Sequence, residues 1–180
     1  MLSGPLLVTD RLILRPPLAK DFDDFAAMRA DTDTMRFLGG AVPRSVAWRQ
    51  FTCQMGAWQM AGQSFFSVLE RDSGQWVGQV GPWAPDGWPQ PEIAYGLLPQ
   101  FAGRGYAYEA AEAAINFAVE FLGWTEIGHI IHPDNHASIA LATKLGASDH
   151  GPTRLPAPSE NLTVHLWMQS ADHWKARAAR

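Results

Sequence analysis

The sequence predicts an α+β domain, a mixed and mostly antiparallel sheet with helices packed on it. Three observations carry this. Period-two and 3.6-residue apolar patterns alternate along the chain, but only partly, so a strict β-α-β repeat is excluded. The strand-like runs 64–70 and 75–80 are separated only by Arg71-Asp72-Ser73-Gly74, a hairpin turn that imposes antiparallel pairing. With 180 residues, 47% of them hydrophobic, the chain is long enough for one domain with a sizeable core.

The elements follow in order. Residues 6–14 place Leu6, Val8, Leu12 and Leu14 in rough alternation, a first strand that Pro16-Pro17 stops. Residues 21–30 carry Phe22, Phe25, Ala26 and Arg29 at helical spacing. Asp21, Asp23 and Asp24 sit in the first turn, where the helix dipole favours them. Gly39-Gly40 breaks the chain, and Ser45 caps a second helix that runs to about residue 59. After the hairpin, the prolines of 82–91 make a loop. Residues 92–98 form a strand, and 106–122 a helix with Ala107, Ala110, Ala111, Ala114, Ile115, Ala118 and Phe121 on one side. A buried strand at 126–131 and a helix at 135–145, closed by Gly146, come next. The last strand is 162–168, and 171–180 is a polar tail with helical character. No repeat, linker or low-complexity tract interrupts residues 1–180, which are read as a single domain with 171–180 peripheral.

Composition excludes several classes. The formal net charge of -4 lacks the basic footprint of a duplex binder, so no nucleic-acid partner is expected. That acidity mildly favours a cationic partner through steering. No apolar run approaches 18 residues and the N-terminus lacks a basic-then-apolar leader, so no membrane role is expected and a cytoplasmic location is. The lone Cys53 allows neither an internal disulfide nor a cysteine-built zinc site. His129, His132 and His136 cross Pro133 and change element, so no metal site is expected from them, although one placed near a bound ligand could act as a base.

Chemistry concentrates where the strand 92–98 runs into Gln100-Phe101-Ala102-Gly103-Arg104-Gly105-Tyr106-Ala107. Gly103 and Gly105 let backbone approach a ligand closely. The free N–H groups that open the Ala-rich helix then face an anion, with Arg104 beside them, and a pyrophosphate is a natural occupant. The P-loop pattern is absent, and Tyr108 stands where the dinucleotide fingerprint needs Gly or Ala. An ordinary strand–turn–helix connection explains the same glycines. A second segment, Pro133-Asp134-Asn135-His136-Ala137-Ser138 with Lys144-Leu145-Gly146, starts with a good N-cap and places Ser138 near the same helix end.

Together these segments resemble the GCN5-related N-acetyltransferase (GNAT) family, and within it the ribosomal-protein-type (RimJ/RimL-like) branch. Thr9-Asp10-Arg11-Leu12-Ile13-Leu14-Arg15-Pro16 is similar to that branch's opening strand, and Met35-Arg36-Phe37-Leu38-Gly39 to its link between the first two helices. Gln100-x-x-Gly103-x-Gly105 is similar to the acyl-CoA signature, and Asn135-x-x-Ser138 with Lys144-x-Gly146 to the late helix. The resemblance implies a twisted sheet with a splay between two parallel strands, acetyl-CoA as cosubstrate, and an amine acceptor, either a protein N-terminus or a small molecule. It implies that backbone at Leu97 and Leu98 pairs with pantetheine amides, that Gln100, Gly103, Arg104, Gly105, Tyr106 and Ala107 hold the pyrophosphate, and that Asn135 contacts the pantetheine arm. Glu92 would be the base, an N–H near Leu97 would face the acetyl oxygen, and Ser138 would serve the departing thiolate. A solvent-facing strand carboxylate is the alternative for Glu92.

The tyrosine that many members carry on the late helix is Ala142 here, so proton donation falls to Ser138 or water. Ala102 and Ala147 replace aromatics usual in the branch. Met35 to Arg44 is the candidate acceptor segment, hinged at Gly39-Gly40. Trp83 and Trp88 are an acceptor wall, an oligomer contact or local packing, and a homodimer is compatible with the branch. A non-catalytic acyl-CoA-binding module and an interaction domain using exposed Trp are the competing readings.

Overall fold

The computed structural model describes residues 4–178. Its elements are β1 (Leu7–Val8), β2 (Leu12–Arg15), α1 (Phe22–Ala30), α2 (Thr32–Met35), α3 (Arg44–Ala61), β3 (Phe66–Glu70), β4 (Trp76–Trp83), β5 (Glu92–Leu97), α4 (Tyr106–Glu120), β6 (Glu126–Ile131), α5 (His136–Leu145), β7 (Ser148–Thr153), β8 (Val164–Ser170) and α6 (Ala171–Ala178). The strands form one eight-stranded sheet in the order β1-β2-β3-β4-β5-β6-β8-β7. The β5–β6 pair is parallel and the others are antiparallel, as the mixed-sheet expectation required.

That parallel pair positions everything that follows. β4 and β5 stay in register from Gly78↔Leu97 to Trp83↔Glu92, and β6 and β8 from Glu126↔Ser170 to Ile131↔His165. Between β5 and β6 the only register pair is Glu92↔Gly128. The strands meet once and diverge, which leaves a wedge open in the middle of the sheet.

The core explains why the sheet holds its shape around that wedge. α4 turns Ala110, Ala111, Ala114 and Ala118 inward, all fully buried with Ile115. Four small side chains let the helix axis lie close to β4 and β5, fixing the helix start at the C-terminal end of β5. A second cluster, including Phe25, Met28, Met35 and Phe51, binds α1 to α3.

Several expectations need correction. Residues 6–14 are a hairpin rather than one strand: Leu7 pairs with Leu14 and Val8 with Ile13 across a turn at Thr9-Asp10-Arg11. α3 begins at Arg44 behind Pro43, so Ser45 lies inside the helix and caps nothing. β4 continues through Pro82 to Trp83, because Pro82 pairs with Ile93 in the β4–β5 ladder, so the loop starts later than expected. Residues 148–153 carried no strand signal, yet they form β7 along the edge of β8. Asp21 owes its place to an ion pair rather than to the helix dipole. Its buried carboxylate accepts from Arg15 Nη1 and Nη2 at 2.7 Å, and from Leu18 N–H and Ser67 Oγ at 2.8 Å. Of the polar tail, α6 is helical as expected but not peripheral, since Ala171 and Trp174 are buried in the main core and Trp174 Nε1 donates to Asn116 Oδ1 at 2.7 Å; 179–180 lie outside the described residues.

Candidate active site

β5 organises two regions, one at each end. At its C-terminal end, Pro99 to Phe101 make a single 3-10 turn, and the chain then crosses Gly103 and Gly105 at φ +73° and +81°. Those angles belong to the left-handed region, where a Cβ is strained. Gly105 is the N-cap of α4 and brings no side-chain acceptor. Among the described residues, no N–H from Gly103 to Tyr108 donates to a protein acceptor. The loop from Ala102 to Gly105 is exposed. Open N–H groups at a helix start, with the Arg104 side chain alongside, form an anion cradle. Gln100 is exposed beside it, and Ala107 is half-buried in the first turn. The Tyr106 side chain points inward, its hydroxyl donating to Glu70 Oε1 at 2.6 Å, so only its backbone N–H is offered outward.

The loop is held from a distance by residues that sequence spacing does not connect. Glu109, in the first turn of α4, accepts from Thr9 Oγ1 at 2.6 Å, Arg11 N–H at 2.9 Å and Arg11 Nε at 2.6 Å. Arg11 Nη1 also donates to the Arg104 carbonyl at 2.9 Å. Burial would raise the Glu109 carboxyl, but these donors outweigh it and hold it below the usual range. The β1–β2 turn therefore clamps the glycine loop. The Thr9-Asp10-Arg11 stretch is visible in the sequence, but nothing in it points to Glu109 as the partner.

Along the wedge, the backbone of β5 alternates in direction. Pro91 C=O accepts from Gly128 N–H at 2.9 Å, and Ile93 C=O meets His129 Nδ1 at 2.9 Å, both toward β6. By the same alternation the backbone groups of Tyr95 and Leu97 face the wedge, where β6 has already diverged. Leu98 differs from the expectation. Its N–H donates to Val77 C=O at 2.9 Å and its C=O accepts from Phe101 N–H at 3.0 Å, so both are engaged.

At the other end of β5 lies a cavity of about 460 Å³, within the ~300–1,000 Å³ range of small-molecule sites. Glu92, Tyr95, His129, Asn135 and Ser138 line it together, with Trp83, Trp88, Phe25 and Phe37 as aromatic walls. The glycine-loop residues and Leu97 lie outside it, reached along the wedge. Phe37 and Leu38 bring the Met35 to Arg44 segment to the cavity, and Trp83 packs edge-to-face on Trp88 at 6.5 Å.

Glu92 is buried rather than solvent-facing, 5% exposed. Oε1 accepts from Trp88 Nε1 at 3.0 Å, and Oε2 from Ile130 N–H at 2.9 Å. The second bond reaches across the wedge to a β6 amide whose ladder partner has moved away. Burial pushes the carboxyl up to about 7, against the pull of those two donors. Burial pushes His129 down to about 4, against its bond to Ile93, so the imidazole is neutral at pH 7. With Nδ1–H donating to Ile93 C=O, Nε2 carries a lone pair, and that atom is buried without a partner. The Tyr95 hydroxyl donates to Ser138 C=O at 3.2 Å and joins β5 to the start of α5. Burial, with Glu92 nearby, raises this hydroxyl far above the neutral range, so it is a fixed donor. Asn135 Oδ1 caps α5 by accepting Ser138 N–H at 3.2 Å. Ala142 is fully buried against Ile131 and Ala147, away from this cavity. Tyr95 and His129 are the site residues that sequence reading missed. His129 was visible only as one of three histidines, and Tyr95 had no signal beyond its strand.

The model of the acetyltransferase (GNAT) domain family matches residues 11–148. The chain is 28% identical over 153 residues to the uncharacterized N-acetyltransferase YoaA of Bacillus subtilis, covering 83% of this chain and 86% of that protein. An acetyltransferase from Agrobacterium tumefaciens shares the structure with a TM-score of 0.82 at 27% identity, over 93% of this chain and 95% of that one. The ribosomal alpha-N-protein acetyltransferase RimL, solved in complex with coenzyme A, has a TM-score of 0.76 at 13% identity over 93% and 99%, a likeness of fold.

Proposed function

Because the chain belongs to the acetyltransferase (GNAT) domain family and is an acetyl-CoA-dependent N-acetyltransferase, we propose that it acetylates a primary amine held beside Glu92. The amine belongs to a small molecule or a protein N-terminus. The observation that carries this reading is the single-rung β5–β6 pair, with an anion cradle at one end and a buried carboxyl at the other. Acetyl-CoA supplies the acetyl group as a thioester.

The chain's own residues divide the remaining work. N–H groups of Gly103, Arg104, Gly105, Tyr106 and Ala107 face the pyrophosphate, with Arg104 adding charge and Gln100 flanking. Backbone groups of Tyr95 and Leu97 serve as the strand edge against which pantetheine amides pair. The Leu97 N–H donates toward the acetyl oxygen as negative charge develops there. The Asn135 side-chain amide, whose oxygen is spent on the cap, offers its N–H₂ to the pantetheine arm. Glu92, near half-ionised at pH 7, takes the proton from the amine. His129 is too weak a base at about 4 for that step, but its Nε2 lone pair accepts a second amine hydrogen and orients it. The Ser138 hydroxyl donates toward the departing sulfur.

A thermal-shift titration with acetyl-CoA, with NAD and ATP as controls, tests the reading. Ligand at 100 times its dissociation constant stabilises by about 2.7 kcal/mol. At roughly 2–4 °C per kcal/mol the expected shift is about 5–11 °C. Thiol release on adding an amine panel completes the test. No shift at saturating acetyl-CoA overturns the cofactor site, and a shift without turnover supports a non-catalytic acyl-CoA-binding module.

A further inference from the structure

The cavity carries a second charged group that acetyl transfer does not use. Arg29, in the last turn of α1, lines the wall formed by the helices, apart from the β5–β6 wedge. Its Nη1 meets Met35 Sδ at 2.9 Å, a weak acceptor, and its Nε is buried without any acceptor. Among the described residues it pairs with no carboxylate, whereas Arg11, Arg15 and Arg44 each do. Arg49 lines the same cavity, also without a carboxylate among the described residues. A guanidinium is a planar fork of donors matched to a carboxylate, and one left short of acceptors in a partly dry site is costly. Its backbone is held in place, since the Arg29 carbonyl accepts from Val42 N–H at 2.9 Å and ties α1 to the segment that carries Phe37 and Leu38.

The cavity is thus bipolar. A carboxyl and a neutral imidazole occupy the wedge side, a cation the helix side, and aromatic rings fill the space around them. We propose that the acceptor is an amine that also carries an anionic group, a carboxylate on an apolar body, which Arg29 binds while the amine lies at Glu92. The inference rests on Glu92 receiving the amine. It runs against the cationic acceptor that the net charge of -4 favours, because the local field at Arg29 decides what the cavity takes.

The experiment compares matched acceptors with and without a carboxylate: phenylalanine with phenethylamine, tryptophan with tryptamine, and 6-aminohexanoate with hexylamine. The expected result is a kcat/KM about 10- to 100-fold higher for the acid in at least one pair, the size of a charge-assisted pair. Arg29→Gln brings that ratio to about one, and Arg29→Lys restores part of it. A thermal shift with acetyl-CoA shows that each variant is folded. A turnover-free arm measures binding of 3-phenylpropanoate against 3-phenylpropanol. The acid binds wild type and is lost with Arg29→Gln. Equal or better turnover of the neutral amine in every pair, or a preference that survives Arg29→Gln, overturns the inference and leaves acetyl transfer standing. No turnover and no acetyl-CoA shift overturns the transfer reading, and the phenylpropanoate arm then decides Arg29 alone. Absence of phenylpropanoate binding to wild type also counts against it.

Discussion

Replacing Glu92 by Gln removes the proposed base while nearly conserving its volume. General-base removal costs about 10²–10⁴-fold in rate, so kcat should fall by that factor while acetyl-CoA affinity is kept. The wild-type profile carries the sharper signature. With the carboxyl near 7, the ionised fraction rises about tenfold from pH 6 to pH 8. An acyl hydrazide as acceptor, neutral across that range, isolates this limb from the titration of the amine. Glu92→Gln should flatten it. The substitution also has a structural cost. Trp88 Nε1 and Ile130 N–H both donate to Glu92, one to each oxygen. A glutamine amide accepts at one position only and leaves a donor facing its N–H₂. That costs about 1–3 kcal/mol, or roughly 2–12 °C at this size.

The sign of the pH effect on stability follows from the same group. A carboxyl raised from 4.5 to about 7 holds its proton longer in the folded state. Its favourable contribution is present at pH 4.5 and lost as pH rises to 7, an upper bound of about 3 kcal/mol. Thermal melts of wild type and variant between pH 5 and 8 should therefore converge as pH rises. A Glu92→Gln enzyme with wild-type rate and an unchanged pH limb would refute the argument.

Three other outcomes are expected. Gly105→Glu, at φ +81° and with Arg11 Nη2 lying 3.3 Å from the new Cβ, should reduce acetyl-CoA affinity by at least about 100-fold through strain and charge at the cradle, read as loss of the thermal shift. Glu109→Ala should weaken acetyl-CoA binding by about tenfold by releasing the Thr9–Arg11 clamp, measured by calorimetry, and unaltered affinity would remove the clamp from the site. Asp21→Asn should destabilise by about 3–5 kcal/mol in chemical denaturation, since it strands the Arg15 charge. Burial raises the Asp21 carboxyl, but Arg15 and the Leu18 and Ser67 donors more than offset this and hold it low, so its contribution is present above 3.8 and is lost as pH falls through the folded value.

What the sequence reveals is mostly local. The hairpin of β3 and β4, the glycine loop, the Asn135 cap and Gly146 at φ +107° each follow from a few adjacent residues. What it hides is set by distance. Ser148-Asp149-His150-Gly151-Pro152-Thr153 has almost no strand propensity, and the free edge of β8 recruits it regardless. The burial of Glu92 depends on Trp88 in a loop and on Ile130, 38 positions away. The clamp joins residues about 100 positions apart. Leu98 and Leu97 look alike in sequence, and only the strand's alternation decides which of them has backbone groups to spare.

The wedge also bears on how the sheet coheres. β1 to β5 form one section and β6 to β8 another, joined at the rung between Pro91 and Gly128 and by Glu92 to Ile130, Ile93 to His129 and Tyr95 to Ser138. Three of those four ties end on a side chain that also faces the cavity. In most enzymes the reactive groups are a burden on the scaffold, and removing them makes it firmer. Here the seam is stitched by the proposed base Glu92, by the His129 imidazole beside it and by the Tyr95 hydroxyl of the same cavity, so removing these side chains should loosen it, and variants selected for robustness should keep Glu92, Tyr95 and His129 even when activity is no longer required.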